Sequence, residues 1–395
     1  MYVFRIIQKN IQLFENFVKD VIYNRRHDLR ARRLGAFFKL LSVPFYTIVC
    51  LRQKAYQKRW LHNQHLGCMV IVVGNLTVGG TGKTPIVEKL AKSLRDRGRN
   101  VGVLSRGYKS KKESLLKKLW HWILHAEPCP PKVVSDGKQC LLPYEIAGDE
   151  PLLLAKNLKN ICVVVDKDRV KAGQYAIKTF NCDTLLLDDG FQYFPLKGTF
   201  YILLVDATNP FGNGYVLPRG ILREPLEHMQ RAQFIFLTKC DQVSPQRLKT
   251  LERFIRHYNK QAPILPCIHQ PKYLNELNGE KQLPLSNLHG KKIAALSGIA
   301  SPKTFEKFLT DAGATIVYKE NFLDHHCYTD FEIQEFVEQA KQARADCLVT
   351  TEKDAMRIAG TDFQLPFYFL RMEIEWVKGT EPFECILHKL ANECP

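Results

Sequence analysis

The chain has 395 residues, enough for two or three domains that bury their own cores. At 45% hydrophobic and 25% charged, the composition excludes a disordered, fibrous or small disulfide-stapled chain. Fifty-seven Lys and Arg against forty Asp and Glu give +17, which calls for an anionic partner: nucleic acid, phospholipid or phosphorylated metabolite.

The excess is concentrated at the start. Residues 1–66 hold thirteen Lys or Arg and three Asp or Glu. Within them, positions 34–51 read LGAFFKLLSVPFYTIVCL, interrupted only by Lys39 and flanked by RRHDLRARR and RQKAYQKR. Eighteen residues with a Lys and a central Pro are marginal for a bilayer-spanning helix, which needs about 20. A helix lying on a membrane surface, its flanking cations on lipid phosphates, fits better. A helix packed on the body of the protein is the plain alternative. No signal-peptide pattern is expected here. The twelve cysteines form no CxxC pair, and several sit in strand-like runs such as ICVVVD, so they read as reduced, buried thiols.

Next come six short apolar runs: CMVIVV at 68–73, VGVL at 101–104, ICVVVD at 161–166, TLLLDD at 184–189, YILLVDA at 201–207 and FIFLTK at 234–239. Helical patterns separate most of them, which predicts a largely parallel α/β sheet. Residues 110–132 are Lys-rich, and their LLKKLWHWIL run is amphipathic, either a second membrane contact or a solvated lid. QRLKTLERFIRHYNK predicts a helix, and KKIAALSGIASPKTFEKFLTDAGATIV starts a new strand–helix–strand unit. The expected organisation is a basic, apolar helical segment at 1–62, a nucleotide-binding domain at 63–240, a linker with a helix at 241–290 and a second α/β domain at 291–395.

TVGGTGKT at 77–84 is a phosphate-loop pattern with Thr77 in place of the first Gly. Strand, Gly-rich turn and amphipathic helix follow one another as that pattern requires. The backbone N–H groups of Thr77, Val78, Gly79, Gly80, Thr81 and Gly82 can converge on phosphate at a helix N-terminus. Lys83 can reach the β- and γ-phosphates, and the Thr84 hydroxyl suits Mg²⁺. Asp188 and Asp189, beyond an apolar strand, are the first candidates for the acidic metal group, and Asp206 is the second. Either role competes with simple turn capping. LTKCD at 237–241 resembles the NKxD base-reading motif of GTPases, but a polar strand edge explains it equally well. Asp149 and Glu150 open a helix, as acceptor-steering acids or as caps. His325 and His326 are adjacent and lack metal-ligand spacing; one can orient an Asp base, or both can be polar loop residues.

GNLTVGGTGKTP, LSRGY, SDG, GDEP, DDGFQ, LPRGILREP, DHH and TEKDA occur in that order between residues 74 and 355. Together they resemble the tetraacyldisaccharide 4′-kinase family, from the N-terminal segment to about residue 360. The resemblance implies a P-loop NTPase-like α/β/α domain, a second smaller α/β/α domain joined by a two-stranded linker, and an N-terminal membrane-associated helical segment. It implies ATP and Mg²⁺ as cofactors and phosphorylation of the 4′-hydroxyl of a tetraacyldisaccharide 1-phosphate to lipid IVA, at the cytoplasmic face of the inner membrane. Residue by residue, it places nucleotide binding on Thr77–Thr84 and the catalytic acid on Asp149. The paired His falls on His325, and the metal-organising groups on Thr84, Glu150, Asp188 and Asp189. Asn75 and Arg106 are expected substrate contacts, and the forked guanidinium groups of Arg219 and Arg223 in LPRGILREP suit substrate phosphate, with surface salt bridges as the plain alternative. The expected partners are the acylated disaccharide lipid and an anionic membrane surface, with neither nucleic acid nor an obligate protein partner. The chain departs from the family in DDGFQY, where Tyr193 replaces a His, and in a longer, more basic segment at 110–132. A P-loop switch or metallochaperone, which would show a nucleotide-sensitive protein partner, is the alternative. A nucleic-acid binder, suggested only by charge, lacks a recognition motif.

Overall fold

The computed structural model describes residues 14–107, 129–279, 281–324, 326–358 and 363–392. The segment expected to be an amphipathic lid or membrane contact therefore lies, except for residues 129–132, outside the described residues, as does His325.

The six apolar runs form six parallel strands: β1 (Met69–Gly74), β2 (Val101–Ser105), β4 (Cys162–Val165), β5 (Thr184–Leu187), β6 (Phe200–Asp206) and β7 (Phe234–Thr238). β3 (Lys132–Ser135) adds an antiparallel edge on β4. It is four residues long and buries only its last two, so no alternating or continuous apolar run announces it. Every residue of β1 is buried, as helices on both faces of a parallel sheet require. On one face lie α2 (Lys83–Arg95) and α3 (Asp149–Asn157); on the other α4 (Arg169–Phe180) covers β2 and β4. α5 (Pro245–Tyr258) closes a third apolar cluster with Leu251 and Ile255.

The second lobe is built on β10 (Lys292–Ser297), β11 (Thr315–Asn321) and β12 (Cys347–Thr351), parallel to one another. α6 (Pro302–Asp311) packs on one face and α7 (Asp330–Gln342) on the other. α8 (Glu352–Ala355) is a single turn following β12.

Two long strands join the lobes. β8 (Ile264–Glu276) begins parallel to β7 and continues antiparallel to β13 (Phe367–Trp376), whose other edge lies parallel on β12. β9 (Gln282–Pro284) pairs with the end of β8. Cys267 and Ile374, at one end of this ribbon, belong to the first lobe's core; Leu274 and Leu370, at the other end, belong to the second lobe's. The two lobes thus share one hydrogen-bonded sheet. The last helix, α9 (Glu381–Asn392), lies in the span expected to be part of the second domain. It returns along β13 and packs Phe383, Ile386, Leu387 and Leu390 into the first lobe's core.

α1 (Leu29–Gln57) contains the apolar 34–51 run and carries Pro44 within it. Among the described residues it is the one helix long and apolar enough to cross a membrane. Only Ala31, Gly35, Ser42 and Gln53 are buried; Phe37, Leu40, Val43, Ile48 and Leu51 are exposed. The Ser42 hydroxyl donates to Val216 O (2.9 Å) and accepts from Arg219 N (3.1 Å), fixing the helix to the 213–223 segment.

Phe383 stacks on Trp376 with ring centroids 4.3 Å apart, and it is 2% exposed. Its truncation in Phe383→Ala should cost the first lobe about 3–5 kcal/mol. Thermal unfolding that tracks the first lobe should show a lowered midpoint, although position 383 follows the whole second lobe in sequence.

Candidate functional site

The parallel strands of the first lobe all end at one edge, the side where α/β sheets bind ligands. Between that edge and the second lobe lies a cleft of about 1410 Å³. The loop from Thr77 to Thr84 leaves β1 there and enters α2. Gly82 is its hinge, at φ 79°, and a Cβ at this position would lie 2.5 Å from the His269 ring. Only Gly satisfies both the backbone and the neighbour.

Two segments hold the loop. On one side Val78 N donates to Ile221 O (2.8 Å), Thr77 bridges Leu222, and Arg223 N donates to Leu76 O (2.6 Å). The LPRGILREP motif is therefore a strap along the phosphate loop. On the other side the Thr238 hydroxyl donates to Thr81 O (3.0 Å), and Lys239 Nζ donates to Gly80 O (3.2 Å). LTKCD thus braces the loop. Lys239 also pairs with Asp206, so the second-choice acid is engaged by this brace.

Lys83 Nζ stands 3.4 Å from Asp189 and 3.5 Å from the Asn75 side-chain oxygen. Asn75 is buried, and its carbonyl accepts from Gln192 Nε2 at 2.8 Å. Asp189 has φ 52° and receives both oxygens' worth of contact from Arg223 Nη1 (3.0 and 2.9 Å). Burial alone would push its carboxyl up, but Lys83 and Arg223 prevail and hold it below the ordinary range. Asp188 behaves oppositely. Burial first, then the Asp189 charge, raises it to about 7, with Lys83 opposing. Its Oδ1 is buried without a hydrogen-bond partner.

Thr84, Glu150, Asp188 and Asp189 all line the cleft. Among the described residues no cluster of three or more His, Cys, Asp or Glu can hold a metal alone. Mg²⁺ needs no such cage: one or two carboxylates, substrate phosphates and water suffice. The orphaned Asp188 oxygen and the Thr84 hydroxyl fit that donor set.

Asp149 opens α3 as expected and is buried at its N-terminus. Its carboxylate pairs with the fully buried Arg357 of the second lobe, whereas Glu150 faces the cleft. His326 lies 3.1 Å from both Glu332 oxygens and stacks on Phe322. Arg106 and Arg223 line the cleft. Arg219 does not: its guanidinium donates to Val21 O (3.1 Å) and Asn24 (2.6 Å), holding the chain before α1.

Two further cleft residues are not singled out by the sequence reading. Arg169 lines the cleft and stacks 4.2 Å over the Tyr193 ring, while the Tyr193 hydroxyl donates to Asp168 (3.0 Å) and accepts from Arg169 N (3.1 Å). The Tyr that departs from the family pattern is thus the seat of a cleft arginine. Lys353, within TEKDA, reaches Glu150 at 3.6 Å. The motif itself was the available signal.

The family model for tetraacyldisaccharide-1-P 4′-kinase matches residues 34–392. The chain is similar to the tetraacyldisaccharide 4′-kinase of Anaeromyxobacter sp. (strain K), 35% identical over 367 residues, which cover 91% of this chain and 92% of that one. It is 33% identical to that of Halothermothrix orenii over 390 residues, 95% and 97% of the two chains. It also matches the crystal structure of LpxK from Aquifex aeolicus in complex with ATP, with a TM-score of 0.71 and 28% identity, covering 90% of this chain and 99% of that one.

His269, on the interlobe strand β8, has an imidazole held down to about 4 by burial and then by Lys239, with Asp206 opposing. Its ordinary value is 6.5, so the folded state binds this proton less readily than the unfolded state does. The stability present above pH 6.5 should be lost as pH falls from there through about 4. Thermal midpoints across that window should fall more steeply for the parent than for His269→Gln.

Proposed function

The chain belongs to the tetraacyldisaccharide-1-P 4′-kinase family, and from that premise we propose how its cleft residues carry out the transfer. The activity is ATP-dependent phosphorylation of the 4′-hydroxyl of tetraacyldisaccharide 1-phosphate, giving lipid IVA. Phosphoryl transfer asks the protein mainly to position the reactants and to neutralise charge.

The observation that carries the residue assignment is the Lys83–Asp189–Arg223 group beside the orphaned Asp188 oxygen. The loop N–H groups and the N-terminus of α2 cradle the β-phosphate. Lys83 exchanges Asp189 for the γ-phosphoryl oxygens as negative charge develops on them. Thr84, Glu150, Asp188 and Asp189 would hold Mg²⁺, which when bound would supply neutralisation of phosphate charge. Asp149 accepts the proton of the 4′-hydroxyl, with His325 orienting it. Arg106 and Arg223, two of the cations that line the cleft, would meet substrate phosphate. Arg219 serves instead as an anchor between the strap and residues 21–24.

We further propose that α1 lies on the cytoplasmic face of the inner membrane, peripherally or monotopically. Its exposed apolar residues enter the headgroup boundary, and the flanking Arg and Lys meet lipid phosphate. Phe45, Ile48 and Val49 of α1 also line the cleft, so the acylated substrate would pass from bilayer to active site along this helix.

Transfer of labelled γ-phosphate from ATP to the disaccharide lipid, resolved by chromatography, tests the assignment. Asp149→Ala should lower turnover about 10²–10⁴-fold with ATP binding retained. Near-normal turnover would remove Asp149 from the role of base. For the membrane, Phe37→Glu with Leu40→Glu should lower co-sedimentation with anionic vesicles about tenfold or more. Unchanged sedimentation would count against interfacial binding by α1.

A further inference from the structure

The TEKDA motif at 351–355 has no part in the phosphate loop, yet it contributes cross-lobe contacts in the cleft region. It sits where β12 ends and α8 turns, in the second lobe. Side chains from this turn and from Arg357, just after it, cross to α3 of the first lobe. Asn157 Nδ2 donates to Glu352 at 2.8 Å. Glu352 also pairs with Arg371 of β13, which pairs in turn with Glu88 on the phosphate-loop helix α2. Lys353 Nζ lies 3.6 Å from Glu150 and 3.6 Å from Asp324. Arg357 pairs with Asp149 itself.

Arg357 is held from behind. Its Nη1 lies 3.3 Å from Asp354 and donates to His326 O at 3.4 Å. Asp354 is fully buried and fixed in its turn: the Thr351 hydroxyl donates to it at 2.6 Å, and Gly298 N at 3.0 Å. A continuous path therefore runs from β12 through Thr351, Asp354 and Arg357 to Asp149. The Arg357 side chain has no exposed surface. A guanidinium withdrawn from water at a lobe boundary is costly unless carboxylates answer it, and here two do, one from each lobe. Its planar fork fixes direction as well as charge.

We propose that Arg357 is the positioning residue of Asp149, delivered by the second lobe, so that the acid of the first lobe is correctly aimed only when the TEKDA turn is docked. The proposal rests on Asp149 being the proton acceptor. The reacting atoms are never touched by Arg357; it acts through the carboxylate. Seating of the second lobe and readiness for proton transfer then become one event, while the phosphate loop, held by its own strap and brace, binds ATP independently of it.

The full-length chain is assayed in mixed micelles of detergent and the disaccharide lipid as parent, Arg357→Met, Arg357→Lys, Asp149→Asn and the double variant Asp149→Asn/Arg357→Met. Turnover is expressed per ATP-binding-competent molecule, with KM for ATP and thermal midpoints measured alongside. Arg357→Met should lower kcat about 10²-fold with KM for ATP within about threefold of the parent, and Arg357→Lys should recover about tenfold of that loss. The double variant should be no slower than Asp149→Asn alone, within about twofold, because a residue acting through Asp149 has nothing left to position. A merely structural role would lower the midpoint and the competent fraction and leave kcat per competent molecule at the parent value, and a loss of kcat that multiplies with that of Asp149→Asn would mean that Arg357 acts independently of Asp149; either pattern overturns the proposal. If Arg357→Met does not fold, Arg357→Lys decides, with about tenfold lower kcat expected and parental kcat overturning it. Should Asp149→Asn itself turn over normally, the base assignment fails. Should Asp149→Asn be crippled while the Arg357 variants are normal, only the positioning role fails.

Discussion

Asp189 is the junction on which the rest of the site depends. Among the described residues, its carboxylate is the group that Lys83 from the phosphate loop and Arg223 from the strap both reach. One anion between two cations is over-compensated, so it stays ionised despite its burial. Asp188, one residue earlier, is left with the unfavourable half: deeper burial, a like charge next door and an oxygen without a partner. The pair is thus separated by environment alone: one acid ties the loop to the strap, and the other keeps an oxygen without a hydrogen-bond partner.

From Asp189 the strap leads directly to α1. Arg223, Ile221 and Leu222 touch the phosphate loop, while Val216 and Arg219, a few residues earlier, hold Ser42 of the helix. Arg219 and Asn213 also clasp the chain at residues 21–24. The most apolar helix and the most polar loop are therefore separated by one short, hydrogen-bonded segment. The one Ser42 hydroxyl proton is shared between Phe38 O of its own helix and Val216 O of the strap, both at 2.9 Å, near the bend-prone Pro44. These contacts are polar and specific, so the helix can keep its apolar face for lipid and still have a fixed angle to the cleft.

Legibility in the sequence followed the range of the interactions. The six parallel strands and the phosphate loop were readable because strand burial and glycine placement are written in adjacent residues. The short edge strand β3 was not, since two buried residues make no pattern. α9 read as part of the second lobe because it follows that lobe in the chain; only the path of β13 brings it back. Arg219 and Arg223 look alike in LPRGILREP, four residues apart on one strap, yet one faces the cleft and the other the helix. Their difference arises from what each meets, Asp189 or Asn24, and those partners are distant in sequence. Arg169 was invisible for the same reason, its seat being made by Tyr193.

The lobe boundary itself is held in two unlike ways. The β8–β13 ribbon gives it continuity, with apolar residues sunk into both cores and nine paired positions along its length. Across the cleft the contact is ionic: Arg357 to Asp149 and Arg371 to Glu88, both buried, and the partly exposed Lys353 to Glu150. Hydrophobic surface tolerates small sliding, because its attraction is not directional. Buried ion pairs do not, since a partner displaced leaves a charge uncompensated in a poor solvent. A continuous ribbon on one side and buried pairs of fixed geometry on the other hold the two lobes in one relative seat. The cations that define this seat come mostly from the second lobe, and the carboxylates they answer stand on α2 and α3 of the first. The lobe that carries no phosphate loop therefore supplies cations that face the acids beside that loop.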